Sequence, residues 1–108
     1  MVSTFSPWPA ALADGGALVA FQDASRGVNA VRVARLDAAG RRRGTPSAVS
    51  DAGAAPWNQW RPALALVPGS RALAAWEDER DGPAQVFAAR APVARIGGTP
   101  RPFTGARR

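Results

Sequence analysis

Two stretches of this 108-residue chain carry nearly the same text. The first is Ala17-Leu18-Val19-Ala20-Phe21-Gln22-Asp23, with Gly27, Val31 and Arg35 downstream. The second is Ala72-Leu73-Ala74-Ala75-Trp76-Glu77-Asp78, with Gly82, Val86 and Arg90 downstream. Corresponding residues stand 55 positions apart (78 − 23, 82 − 27, 90 − 35). Upstream, Pro9-Ala10 answers Pro62-Ala63 at a spacing of 53 (62 − 9). Downstream, Gly44-Thr45-Pro46 answers Gly98-Thr99-Pro100 at 54 (100 − 46). A self-similar period of this length marks a repeat architecture, in which one supersecondary unit is made again and stacked on its neighbour.

Each repeat divides into four short extended segments separated by turn-forming residues. In the first repeat these are Pro9–Ala13, Ala17–Gln22, Asn29–Leu36 and Pro46–Ser50. In the second they are Pro62–Val67, Ala72–Glu77, Ala84–Ala91 and Pro100–Thr104. Asp14-Gly15-Gly16, Ser25-Arg26-Gly27, Pro68-Gly69-Ser70 and Asp81-Gly82-Pro83 lie between them. Short strands at regular spacing with such punctuation predict an antiparallel meander. Ala, Leu, Arg and Glu also favour helix, and Arg71–Arg80 alone would draw as one. Against that, Val19 and Phe21 alternate with Leu18 and Ala20 at a period of two. Val28, Val31 and Val33 are β-branched and suit a pleated surface.

Four antiparallel strands per repeat is the unit of a β-propeller blade. The expected fold is therefore all-β: two four-stranded antiparallel blades, residues 1–56 and 57–108, forming one structural unit or part of a larger propeller. Propellers close with four to eight blades. Two blades alone leave two open flanks, and Val19, Phe21, Ala74, Trp76, Val86 and Phe87 are the residues expected to line them. Burying one such side chain contributes about 1.5–3 kcal/mol, so a wet flank is costly. The expected partner is the chain itself, closing a ring head to tail. Three copies would give six blades and four would give eight.

The chain has 14 Arg and no Lys, His, Cys or Tyr, against 8 acids, for a net charge of +6. Without Cys there is no thiol or disulfide chemistry, and catalysis by His, Cys, Lys or Tyr of this chain is excluded. No metal and no cofactor are expected, because only carboxylates remain as ligands. The Arg residues are scattered apart from Arg41-Arg42-Arg43 and Arg107-Arg108. No aromatic residues interleave with the triplet, so nucleic acid ranks last among partners. No apolar run reaches the length of a membrane span. The N-terminus lacks a basic start followed by an apolar stretch, so no signal peptide is expected. The compartment stays open.

The run Ala75-Trp76-Glu77-Asp78-Glu79-Arg80-Asp81-Gly82, followed by Gln85-Val86-Phe87-Ala88-Ala89-Arg90, resembles the recurrent blade motif of sialidase-like bacterial propeller proteins. In that motif an aromatic ends one strand, Asp-x-Arg and Gly make the turn, and an apolar strand ending in Arg follows. Gln59-Trp60-Arg61-Pro62-Ala63-Leu64-Ala65 fits the strand that opens such a blade. The first repeat keeps Phe21, Asp23, Gly27, Val31 and Arg35 but has Ser25 where the second has Arg80. Sialidases use a Tyr nucleophile, which this chain lacks, so the resemblance implies blade kinship and does not carry the enzyme across.

In a blade of this kind, the second-to-third-strand loop and the connection to the next blade share one rim. This places Asp23 and Arg26, and Asp78 and Arg80, near Trp8, Trp57, Asn58 and Trp60. Indole faces stack on apolar pyranose faces while planar polar groups bind hydroxyls. These eight residues are the candidate ligand-binding set, and the expected function is a non-enzymatic, lectin-like propeller module. A structural or protein-interaction scaffold is the alternative, as is a blade pair from a sialidase-like glycoside hydrolase. The same residues also have a plain structural reading. Asp23 and Asp78 suit turn capping, Arg80 suits pairing with Asp78, Trp57 and Trp60 suit gap filling between blades, and Trp76 suits a core.

Overall fold

The computed structural model describes residues 4–25, 27–50, 57–98 and 101–108. They form two four-stranded antiparallel sheets, each a simple meander in sequence order. The first sheet contains β1 (Thr4–Ala11), β2 (Ala17–Asp23), β3 (Ala30–Leu36) and β4 (Ser47–Ala48). The second contains β5 (Gln59–Val67), β6 (Arg71–Asp78), β7 (Gln85–Pro92) and β8 (Thr104–Arg107). A single 3-10 turn, Val93–Arg95, follows β7. No described residue is in an α-helix. Alternation decides the local structure: Leu18, Ala20 and Gln22 of β2 are buried while their neighbours are half-exposed, the period of two that a pleated strand imposes.

The turns repeat as well. Gly27 and Gly82 have φ of 92° and 103°, a region that costs glycine little and other residues more. Each closes a β-turn, its amide donating to the carbonyl of Ala24 or Glu79 at 3.1 Å and 3.2 Å.

The spacing of 55 extends further upstream than the sequence match suggested. Phe5 pairs with Gln22 and Trp8 with Ala20; Trp60 pairs with Glu77 and Ala63 with Ala75. Both first strands bulge at the same place, between Phe5 and Trp8 and between Trp60 and Ala63. The counterpart of Pro62 is therefore Pro7 rather than Pro9. Proline belongs at a bulge because it has no N–H to give to the ladder. The opening strands thus begin earlier than Pro9 and Pro62, and the bulge explains why alternation alone did not reveal them.

At the outer edge the repeat breaks. Ser47 pairs with Val33 in the first sheet, whereas Arg107 pairs with Ala88 in the second. The eighth strand is Thr104–Arg107, not Pro100–Thr104. Before it, the chain makes a longer excursion that buries Ile96 and Phe103. The Phe103 amide donates to the Ala48 carbonyl of β4 at 2.8 Å, so this segment lies along the outer edge of the first sheet. On the way, Gly44 passes Gly97 so closely that a Cβ on Gly44 would stand 2.3 Å from the Gly97 carbonyl oxygen.

One core joins the two sheets. It comprises Leu18, Ala20, Val31, Val33 and Val49 from the first and Leu64, Ala72, Ala74, Trp76, Phe87, Ala89 and Ala91 from the second, with Ile96 and Phe103. Trp76 and Phe87 stack with centroids 6.4 Å apart. The faces that meet are not the same face of the repeat. In β2 the buried residues are Leu18, Ala20 and Gln22. In β6 they are Ala72, Ala74, Trp76 and Asp78, the counterparts of Ala17, Val19, Phe21 and Asp23 on the first sheet's opposite side. Ala74, Trp76 and Phe87, expected on open flanks, are instead closed inside this junction. Val19 and Phe21 remain half-exposed on one outer face, and Leu73 and Val86 lie on the other.

Candidate functional site

Asp78 ends β6, and its position follows from the pleat. It continues the inward row of Ala72, Ala74 and Trp76, so its carboxylate is turned into the junction, where Asp78 is 1% exposed. A buried carboxylate must be paired and hydrogen-bonded. Oδ1 accepts the Arg80 amide and Arg80 Nε, both at 2.9 Å. Oδ2 accepts Arg80 Nη2 at 2.7 Å, the Trp76 indole N–H at 2.9 Å and Gln59 Nε2 at 3.3 Å. A carboxylate offers about four lone-pair sites, so these donors saturate it. Burial alone would raise its pKa. The hydrogen bonds from Arg80 and Trp76 and the Arg80 charge outweigh that and hold it below an ordinary aspartate.

Arg80 is built in on its other sides as well. Its guanidinium carbon lies 4.2 Å from the Phe87 ring centroid and 5.4 Å from that of Trp57. Nη2 also reaches Ser50 Oγ at 3.4 Å. The Asp-x-Arg turn is a clasp: the acid and base neutralise each other and two aromatic rings cover the base.

Around the clasp, polar side chains tie one sheet to the other. Gln59 Oε1 accepts the Val31 amide at 2.9 Å, and the Gln59 amide donates to the Asn29 carbonyl at 2.8 Å. Gln22 Oε1 accepts the Arg61 amide at 2.6 Å; Arg61 sits in the bulge with φ of 48°. Asn58 Oδ1 accepts the Asn29 amide at 2.9 Å. Glu79 takes the Trp60 indole N–H on Oε2 at 2.9 Å and Asn58 Nδ2 on Oε1 at 3.5 Å. Trp57 Nε1 is buried without a hydrogen-bond partner among the described residues.

Trp57, Asn58, Trp60, Asp78 and Arg80 therefore meet at one rim of the junction. Asp23 and Trp8 do not join them. Asp23 lies on the first sheet's outer face, where Oδ2 accepts Arg32 Nε at 3.1 Å and Oδ1 accepts the Ser25 amide at 2.9 Å. Burial would raise its pKa, and the bonds from Ser25 and Arg32 outweigh it and lower it. Trp8 stands in β1 opposite Ala20 and is 48% exposed. Arg26 lies outside the described residues. Arg41, Arg42 and Arg43 occupy the turn between β3 and β4, at the other end of the sheet, where Arg43 donates its amide to the Arg35 carbonyl at 2.7 Å.

Sequence reasoning did not place Ser50, Gln22 or Gln59 in the site and expected Phe87 on an open flank; Ser50, Gln59 and Phe87 complete the clasp, while Gln22 ties β2 to Arg61. Gln22 and Gln59 carried a usable signal, each being a polar residue at an inward position of an otherwise apolar row. What the arrangement offers chemically is a closed, hydrogen-bonded cluster around a charge-paired Asp78 and Arg80. The carboxylate at its centre has no free lone pair, and the exposed indole of Trp8 is the freest stacking surface among the candidates. Comparison with protein-family models, with curated proteins and with solved structures yields no match.

Proposed function

We propose that this chain is a non-enzymatic pair of β-propeller blades that builds a rigid binding platform and relies on further blades to cover its outer faces. The observation that carries this reading is the crossed burial of the repeat. One face of the unit is buried in the first sheet, the opposite face is buried in the second, and each leaves its other face open. Units stacked by one repeated rotation pack in this way. The two four-stranded meanders are compatible with blades, and the saturation of Asp78 by donors of its own repeat, with Arg80 Nη2 reaching Ser50 of the first, supports a structural role for the Asp-x-Arg turn.

Hydrogen exchange tests the platform reading. Amides of β2 and β6 are expected to open together with the global unfolding free energy, and Gln59→Ala is expected to lower protection in both sheets. Independent opening of the two sheets would remove the reading.

Carbohydrate recognition is the second reading, and the exposure of Trp8 favours it. Trp60, with Asn58 and Glu79 beside it, supplies a second indole, at the junction rim. Binding on a glycan array that disappears in Trp8→Ala or Trp60→Ala would support it. No binding, or binding unaffected by both changes, would remove this reading.

A further inference from the structure

The second sheet's outer face repeats a face that is already covered once in this molecule. Leu18 and Val31 are fully buried in the junction, while their counterparts Leu73 and Val86 are 37% and 64% exposed. A cleft of about 290 Å³ opens on this outer face, lined by Leu73, Ala88, Arg90 and Gly105. The first sheet's outer face repeats the other half of the same junction. Ala17, Val19 and Phe21 stand there at the positions that Ala72, Ala74 and Trp76 occupy inside.

The two outer faces differ from the internal pair at two charged positions. Arg32 stands on the first sheet's outer face at the position of Phe87, and Glu77 stands on the second's at the position of Gln22. Each is already paired on its own face, Arg32 Nε with Asp23 at 3.1 Å and Glu77 with Arg61 Nη1 at 3.2 Å, so the fit of the two faces rests on their apolar rows rather than on charge. A third correspondence is specific. Arg35 Nη1 donates across the junction to the Val93 carbonyl at 2.9 Å. Arg90 is the counterpart of Arg35, and the position one repeat before Val93 is Ala38.

Resting on the blade reading above, we infer that the partner covering these faces is a second copy of this chain. The first sheet of one copy docks on the second sheet of the next, head to tail. Arg90 donates to the Ala38 carbonyl of the neighbour, and Glu77 meets the Ser6 amide as Gln22 meets that of Arg61. Unlike faces make a heterologous contact, which forms a finite ring where the rotation closes.

Solution mass by light scattering across a wide concentration range tests this. The wild-type chain is expected as a fixed multiple of the 11.2 kDa protomer. Val86→Asp, on an exposed position, is expected to keep the far-ultraviolet sheet spectrum and weaken association about tenfold or more. Arg90→Glu is the second variant on that face, and Phe21→Asp the variant on the other. Mixing Val86→Asp with Phe21→Asp leaves each protein one sound face of opposite kind, so the mixture is expected to form a two-copy complex and stop. A multimer unchanged by Val86→Asp and Arg90→Glu overturns the inference. So does a wild-type monomer at every concentration. If that monomer keeps its sheet spectrum and its joint exchange behaviour, the blade reading stands and the covering blades are not a second copy of this chain. If it loses them, both readings fall.

Discussion

The two repeats solve the same electrostatic problem with different residues. In the second, Asp78 is held by Arg80 from the turn, and the guanidinium lies over Phe87 from β7. In the first, Ser25 replaces Arg80 and Arg32 replaces Phe87. The guanidinium now comes from the strand, and Arg32 Nε reaches Asp23 at 3.1 Å. The aspartate keeps a partner in both because its carboxylate shapes the turn through the amide two residues on. What differs is depth. The Asp78 side chain is fully covered while that of Asp23 is 16% exposed. The fully buried acid has a bidentate guanidinium that aromatic rings cover, whereas the partly exposed one manages with a single guanidinium contact. The lesson is that the position conserved between the repeats is the acid, and the origin of the base depends on which face the neighbouring sheet covers.

The largest effect should come from the aromatic beside the acid. Trp76→Ala, at a site 1% exposed, is expected to cost about 3–5 kcal/mol in urea unfolding. Phe21→Ala, its half-exposed counterpart, is expected to cost about 1–2 kcal/mol. Equal losses would mean that the two faces are covered alike in solution. Next, Asp78→Ala strands Arg80 between two rings and should cost about 3 kcal/mol, against about 1 kcal/mol for Asp23→Ala.

Acid should separate the same pair. Both carboxyls have folded-state pKa values lowered from the ordinary aspartate. Each therefore stabilises the fold fully above the unfolded pKa, about 3.9, and loses that contribution as pH falls through the folded value. Unfolding curves between pH 5 and pH 2 should show falling stability, with a shallower slope in Asp78→Asn. A slope unchanged in that variant would place the titration elsewhere. The smallest effect is the most specific. Ser25→Arg combined with Arg32→Phe transplants the second repeat's clasp into the first. A double-mutant cycle should give a favourable coupling of about 1 kcal/mol, and zero coupling would break the equivalence of the two bases.

Much of this fold is legible in the sequence. The matched runs around Phe21 and Trp76 revealed the repeat, the period of two revealed strands, and Gly27 and Gly82 revealed matching turns. The bulge was not legible, because Pro9-Ala10 resembles Pro62-Ala63 more closely than its structural counterpart Pro7-Trp8 does. Nor was the eighth strand, since the excursion carrying Ile96 and Phe103 has no equivalent in the first repeat. Of the candidate site, the meeting of Trp57, Asn58, Trp60, Asp78 and Arg80 at one rim followed from loop placement on a meander. Their mutual satisfaction did not, because a hydrogen-bond donor is assigned to its acceptor only when both strands are in place.

Local chemistry along the chain determined the repeat unit, its strands and its turns, since alternation and backbone preference act over a few neighbouring residues. Only the tertiary structure decided which face of each unit is inside. Leu18 and Leu73 are the same residue in the same local setting, yet one is fully buried and the other 37% exposed. The difference arises because packing against another sheet depends on what stands beside the strand in space, and a meander with apolar residues on both faces carries no local preference for either.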